Sequence, residues 1–222
     1  MFASRPDPAE RARRAAALAV AVRPTAPPSA RRLPVIDELE PLVPEGALRR
    51  GSTFVVTGPA AHGATTLGLA LLCGASAAGH WCAAVGLDDP GVVAMAELGI
   101  DLRRVVFVPR PRGAWALAAA ELFEGTDVVL VRPPARVAHT AARRLRARAR
   151  DRGAVLVVVV EHRDDWPVPA WATFEVTGAT WHAQGRLLER RADVLVTGQG
   201  VLRPIRAELW LPGPQGAIAT VR

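Results

Sequence analysis

The stretch Thr53-Phe-Val-Val-Thr-Gly58-Pro-Ala-Ala-His-Gly63-Ala-Thr-Thr-Leu67 decides how the chain is read. A short apolar run turns through two glycines and enters a second apolar run, Leu67–Ala78, of helical character. A phosphate-binding loop of the form Gly-x-x-x-x-Gly-Lys-[Ser/Thr] has this frame. Its glycines let backbone N–H groups converge on a phosphate, and the helix N-terminus adds partial positive charge. Gly58, Gly63, Thr65 and Thr66 stand in place, but Ala64 occupies the lysine position. No other lysine can substitute, because all 28 basic residues are arginine. The stretch is therefore read as a relic nucleotide site in a protein that works by binding partners.

Working outward, apolar runs alternate with helical periods. Strands are expected at Thr53–Thr57, Trp81–Gly86, Val105–Pro109, Val128–Val131 and Val155–Val160. Helices are expected at Leu67–Ala78, Val92–Leu98, Ala114–Glu124 and Ala135–Asp151. This order predicts an α/β fold with a mainly parallel sheet and helices on both faces. Val155-Leu-Val-Val-Val-Val160 lacks alternation, as a strand covered on both faces should. After Trp166 the pattern changes, and Thr173–Thr177, Leu187–Thr197 and Ile205–Leu211 read as antiparallel strands added at the C-terminal side. The domain organisation expected is an N-terminal helix (Pro8–Val22) with a proline-rich linker over residues 1–32, a core over 33–211 and a tail over 212–222. Asp7-Pro8-Ala9-Glu10 supplies the helix start, and Arg23-Pro-Thr-Ala-Pro-Pro-Ser-Ala30 cannot continue the helix. At least one end of the chain is expected to contact another protein.

Half of the 222 residues are hydrophobic, enough for a full core. The net charge of +7 suits nucleic acid or acidic partners, although a chain without Lys, Tyr or Asn carries a compositional bias that raises its basicity. DNA contact stays open on charge alone. Cys73 and Cys82 are too few for a disulfide scaffold, and with His80 they match no tetrahedral zinc spacing, so no metal or cofactor is expected. The Arg-rich N-terminus is no signal peptide, no run spans a membrane, and the expected location is cytoplasmic.

Seven arginines, Arg136, Arg143, Arg144, Arg146, Arg148, Arg150 and Arg152, flank a narrow alanine/leucine seam. They form either an ordinary solvated helix face or a rail for phosphates or an acidic partner. Trp166, Trp171, Trp181 and Trp210 read as core and sheet-packing residues rather than base-stacking platforms.

The run from Leu33 to Arg163 resembles a RecA-type ATPase core in order and spacing. Leu33-Pro-Val-Ile-Asp37 to Leu48-Arg-Arg-Gly51 resembles its lead-in, and Gly58–Leu67 its phosphate loop. Cys82-Ala-Ala-Val-Gly-Leu-Asp88 resembles the strand ending in the catalytic acid. Leu98-Gly-Ile-Asp101 and Pro109-Arg-Pro follow in the family's order. Asp127-Val-Val-Leu-Val131 resembles the strand that precedes the magnesium-binding aspartate, and Ala154–Val160 the strand before the phosphate-sensing polar residue. Three departures stand out: Ala64 for lysine, Arg132 for the metal aspartate, and Glu161 for a neutral glutamine. Phosphoryl transfer depends on a positioned metal and stabilised γ-phosphate charge, so the three together predict that turnover is lost.

Within that group, the proline-tethered start and the Gly198-Gln-Gly…Glu208-Leu-Trp-Leu-Pro212 ending are most similar to ImuA-type mutagenesis proteins. The resemblance implies a non-catalytic, nucleoid-associated accessory of error-prone translesion synthesis in the SOS response to DNA damage. The partners it implies are an ImuB-like polymerase adaptor and an error-prone replicative-type polymerase subunit, with RecA or a second copy of the chain as further candidates. A SulA-type division inhibitor, a RecA regulator and a weak ATPase in which an arginine supplies the missing charge are the alternatives. Arg132 is further expected to pair with Asp88, Asp89 or Glu161 and close the empty site.

Overall fold

Five of the strands are built from Val, Ala, Leu and Phe with scarcely a polar residue, and they line up side by side because helices cover both of their faces. The computed structural model describes residues 31–89, 91–183, 187–213 and 216–221. The expected helix Pro8–Val22 and its linker lie outside these. The elements are β1 (Arg32–Pro34), β2 (Ala47–Arg49), β3 (Thr53–Thr57), α1 (Ala64–Ala77), β4 (Cys82–Val85), α2 (Val92–Glu97), β5 (Val105–Val108), α3 (Trp115–Leu122), β6 (Val128–Val131), α4 (His139–Arg152) and β7 (Val155–Val160). They continue with β8 (Ala172–Ala183), β9 (Leu187–Thr197), β10 (Ile205–Trp210) and β11 (Ala219–Thr220).

β1 and β2 form a small antiparallel pair, and the other strands form one nine-stranded sheet in the order β11-β10-β9-β8-β3-β7-β6-β4-β5. From β8 to β5 every pairing is parallel, and from β8 to β11 every pairing is antiparallel. The fold is thus α/β with a large mixed sheet, parallel in one half and antiparallel in the other. Alternate residues of each parallel strand enter two separate cores. Phe54, Val56, Leu130 and Val157 pack with Leu67 and Leu71 of α1. Val55, Val129, Leu156 and Val158 pack with Ala119 of α3 and Leu145 of α4. Burial on both faces explains why these strands read as continuous apolar runs.

Of the valines and leucines expected to be buried, Val55, Val56, Val85, Val129, Leu130, Leu156 and Val158 are, but Val106 is 37 % exposed. It lies on β5, the sheet edge; α3 packs on β4 and β6 and stops short of it. The strand expected at Thr173–Thr177 runs through Ala183, pairs in parallel with β3, and carries a bulge at Thr177 opposite Val194 and Asp193. Its outer half alternates Ala179, Trp181 and Ala183 with Gly178, Thr180 and His182, a short period-two signal that the sequence reading passed over after the bulge at Thr177, and it pairs with β9. The helix expected from Ala135 begins at His139 instead. The buried Val137 anchors an extended lead-in through its N–H to Asp165 O at 2.9 Å, and Ala138 is still extended at ψ 139°, so the helix begins only after it. The end of the chain, expected to be too short for a core element, returns to the sheet: Ile218 is buried and Ala219–Thr220 pair with β10. Arg32–Arg222 forms one compact unit.

Candidate functional site

β3 delivers the glycine loop to the carboxyl edge of the parallel strands, where open α/β sheets hold their ligands. Gly58 leaves the strand with φ 136°, and a Cβ there would lie 2.8 Å from the carbonyl of Val176. Ala60–His62 then form a single 3-10 turn in which the N–H of His62 donates to Pro59 O at 2.9 Å and that of Gly63 to Ala60 O at 3.1 Å. Two amides that a phosphate would need are turned back into the loop. Gly63 adopts φ 105°, and the 14-residue helix α1 begins at the next residue.

The side chain that fills this loop comes from β9. Along that strand Arg190 shares a face with Ala192, Val194 and Val196, all buried, and is itself only 4 % exposed. Its Nη1 donates to Ala61 O at 2.9 Å and its Nη2 to Thr66 Oγ1 at 3.1 Å. The guanidinium lies against Gly63, where any Cβ would meet Nη2 at 2.5 Å. On its other side, 4.7 Å away, is the ring of Trp181 from β8. Among the described residues no carboxylate comes within 4.0 Å of it. Burial pulls its pKa below the ordinary arginine value, yet a guanidinium stays charged across any working pH. Its Nε is buried without a partner. The loop has therefore reversed its polarity: a carbonyl and a hydroxyl accept from a cation where amides would donate to an anion. Cation–π contact with Trp181 covers the exposed side of that cation.

Sequence reasoning missed Arg190, although a signal for it exists. Period-two alternation through Arg190, Ala192, Val194 and Val196 puts an arginine on the inward face. Trp181, read as a packing residue, instead roofs the arginine and remains 39 % exposed.

The metal end of the site is arranged differently. Asp88, Arg132 and Glu161 do gather around one cleft of about 540 Å3, together with Arg110, Arg112, Trp115 and Asp165. Asp88 and Arg132 also border a second cleft of about 240 Å3 that Thr65, Thr66, Asp89 and Met95 line. The expected pairing of Arg132 with Asp88, Asp89 or Glu161 is not formed. Arg132 is exposed and, among the described residues, makes no ion pair within 4.0 Å, and Asp88 approaches Arg110 instead, at 4.0 Å and in the open. At a water-exposed strand end, desolvation does not force two charges together, so each keeps its own hydration.

On the outer helix, Arg143, Arg144 and Arg150 of α4 are exposed and Arg146 is half-buried. Arg148 and Arg152 are both engaged by Glu124, the latter at 2.7 Å. Arg136 precedes the helix and does not extend the row. The rail is thus interrupted, with half of one end neutralised within the chain. At the opposite, amino edge of the sheet, Asp127 accepts from Arg50 at 2.6 Å and lies 3.3 Å from His80 Nδ1, a cluster the sequence reading did not identify. Partial burial would raise the Asp127 carboxyl, but the hydrogen bond and charge of Arg50 outweigh it and hold the pKa below the ordinary value. Cys73 and Cys82 are both buried, and burial pushes each thiol up to about 12. Among the described residues, no group of three or more His, Cys, Asp and Glu side chains could hold a metal ion, and no helix is long and apolar enough to cross a membrane.

These features define an α/β protein with a phosphate-loop-like turn whose lysine is absent and whose cavity holds an arginine of the same chain. The chain belongs to the MT3502 N-terminal domain family, whose model matches residues 41–168. It is also similar to the uncharacterized protein Rv3395c of Mycobacterium tuberculosis, with 38 % identity over 120 residues. That match covers 53 % of this chain and 56 % of the relative, so the chain spans little more than half the length of the curated protein it resembles. The family match stops before β8 and β9, which supply Trp181 and Arg190.

Proposed function

We propose that the chain is a non-catalytic, RecA-like accessory protein that acts by binding other proteins, and that its complex is an error-prone translesion synthesis assembly of the ImuA type. One observation carries the non-catalytic part: the phosphate loop is occupied by Arg190, which Ala61 O and Thr66 Oγ1 hold in place. Losing the loop lysine and the metal aspartate removes positioning and charge stabilisation together, and these account for nearly all of phosphoryl-transfer catalysis. The translesion part rests on the sequence resemblance to ImuA-type proteins carried by the proline-tethered start and the Gly198-Gln-Gly…Glu208-Leu-Trp-Leu-Pro212 ending, with an ImuB-like adaptor and an error-prone polymerase subunit as the partners it implies and a cytoplasmic, nucleoid-associated setting.

A second reading has one observation in its favour. Arg190 brings a positive charge to the turn that lost its lysine, as a weak ATPase with an unconventional loop would require. The carbonyl of Ala61 in that turn, and Arg132 where a metal ligand belongs, weigh against it. Titration of the purified chain with MgATP decides between the two. The accessory reading expects no saturable binding in the millimolar range and no phosphate release; magnesium-dependent turnover abolished by Arg190→Ala would establish the ATPase. Affinity capture of the tagged chain from cells exposed to DNA damage tests the complex. Capture without any polymerase-type subunit would remove the translesion assignment and leave the non-catalytic reading standing.

A further inference from the structure

β5, the outermost parallel strand, has an open edge. It has the sequence Val105-Val-Phe-Val108, pairs with β4 in unbroken register, and has no neighbour on its other side among the described residues. Sheet edges are ordinarily blunted by a charge, a proline or a bulge within the strand, and β5 has none of these. At the other end of the sheet, β11 is only two residues long. The N–H of Gly86 donates to Val108 O at 2.9 Å, so Val108 and, by alternation, Val106 direct their backbone groups toward β4. The carbonyls of Val105 and Phe107 and the N–H of Phe107 then point outward, while the N–H of Val105 closes the preceding turn on Leu102 O. The half-exposed side chain of Val106 stands on the sheet face that α3 leaves bare.

What lies on either side of this strand limits what can dock there. Arg103 and Arg104 precede it, and Arg110 and Arg112 follow it. Arg103 is 89 % exposed although Asp101 accepts from it at 3.0 and 3.1 Å, and Arg110 is 76 % exposed with Asp88 4.0 Å away; Arg112 follows as a further exposed cation. A second copy pairing antiparallel about Val106 and Phe107 would set Arg103 against Arg110 at both ends, and like charges directly opposite destabilise a strand pair. Residues 1–31 are poor occupants for the same reason, since Arg5, Arg11, Arg13, Arg14, Arg23 and Arg31 face only Asp7 and Glu10 in that segment.

We propose that β5 is a docking edge for an extended segment of a partner protein, apolar at its centre and acidic on both flanks. The segment adds a tenth strand: its backbone bonds to the Val105 carbonyl and to the carbonyl and N–H of Phe107, an apolar side chain covers Val106, and its acids meet the exposed arginines that flank the strand. Main-chain hydrogen bonds supply the affinity of such an added strand, and the charged ends supply its selectivity. The proposal rests on the reading of the chain as an interaction protein, not on which complex it joins.

The test is to pan the intact chain against a displayed library of short random peptides and to map the best binder by amide hydrogen exchange. Enriched peptides are expected to alternate apolar residues between acidic ends. Their binding should slow exchange at Phe107, the one amide of β5 that faces outward without a partner among the described residues. N-methylating the peptide at alternate positions should weaken binding about tenfold or more, the loss expected when inter-strand hydrogen bonds are removed. Arg103→Glu with Arg110→Glu should do the same on an intact fold and switch preference to peptides with basic ends. Peptides without acids, binding indifferent to N-methylation, protection confined to other elements, or self-association abolished by Val106→Glu would each overturn the proposal. MgATP titration of the same sample keeps the two readings apart: nucleotide binding alongside peptide binding defeats only the non-catalytic reading, and an empty selection without nucleotide binding defeats only the docking edge.

Discussion

The phosphate-loop-like turn and the cleft beside it hold one arginine each, and the two behave in opposite ways. Arg190 is buried, sandwiched between Gly63 and Trp181, and hydrogen-bonded to the loop. Arg132 stands exposed at the end of β6 and forms no ion pair within 4.0 Å among the described residues. Both are cations at the carboxyl edge of the sheet, but only the one remote in sequence from the loop has been built into the fold. Burial separates them. Once desolvated, a guanidinium must be given acceptors or the fold loses stability, whereas an exposed one is satisfied by solvent.

Ala64→Lys should sharpen this contrast most. Ala64 is buried beside Arg190, and a second cation there would lack a counter-ion, at a cost of about 3–4 kcal/mol. Thermal or urea unfolding should show the loss, and phosphate release should stay at background because Arg132 still occupies the metal end. A lysine variant as stable as the parent, or one that hydrolyses MgATP, would break the comparison. Next is Arg190→Ala, which removes two charge-assisted hydrogen bonds and a cation–π contact while ending a desolvation cost. A net destabilisation of about 2–3 kcal/mol is expected by urea titration.

Gly63→Ala should cost about 2 kcal/mol, from a left-handed backbone and from the side chain it displaces. Part of that cost should vanish in the Arg190→Ala background, and additive effects in the double variant would mean that the two residues do not share a socket. Asp127→Asn tests an arginine paired in the ordinary way, with Arg50 in the half-buried cluster at the amino edge, and should cost about 1 kcal/mol near neutral pH. Because the folded carboxyl titrates below its ordinary value, that contribution is complete above the unfolded pKa of about 3.9 and disappears as pH falls through the lower folded value. The Asn variant should therefore converge with the parent in acid, and a gap that persists below that window would assign the effect to something other than the ion pair. Arg132→Ala should change stability least, by under about 0.5 kcal/mol.

The sheet was legible where burial on both faces left unbroken apolar runs, as at Val155–Val160, and where glycines fixed the turn at Gly58 and Gly63. The bounds of β3, β6, β7 and β9 agree with the sequence reading. Legibility failed where long-range pairing outweighs local pattern. In the outer half of β8 the bulge at Thr177 shifts the phase of the alternation and Gly178 interrupts it, so the strand is continuous through its pairing with β9. At the site, the missing lysine pointed to an altered loop, and the gathering of Asp88, Arg132 and Glu161 around one cleft followed from strand order. Motif spacing near the loop carried no trace of what occupies it. The expected Arg132 pairing assumed a closed interior at a strand end that is open to water.

The contact between Ala61 and Arg190 spans 129 positions along the chain. At a synthesis rate of about 5–20 residues per second, the arginine follows its acceptor from the ribosome by roughly 6–26 s. Local helix and strand formation is far faster than this, so the glycine turn spends that interval without its guanidinium. Late arrival of β9 thus makes the closing of the loop one of the last events of folding.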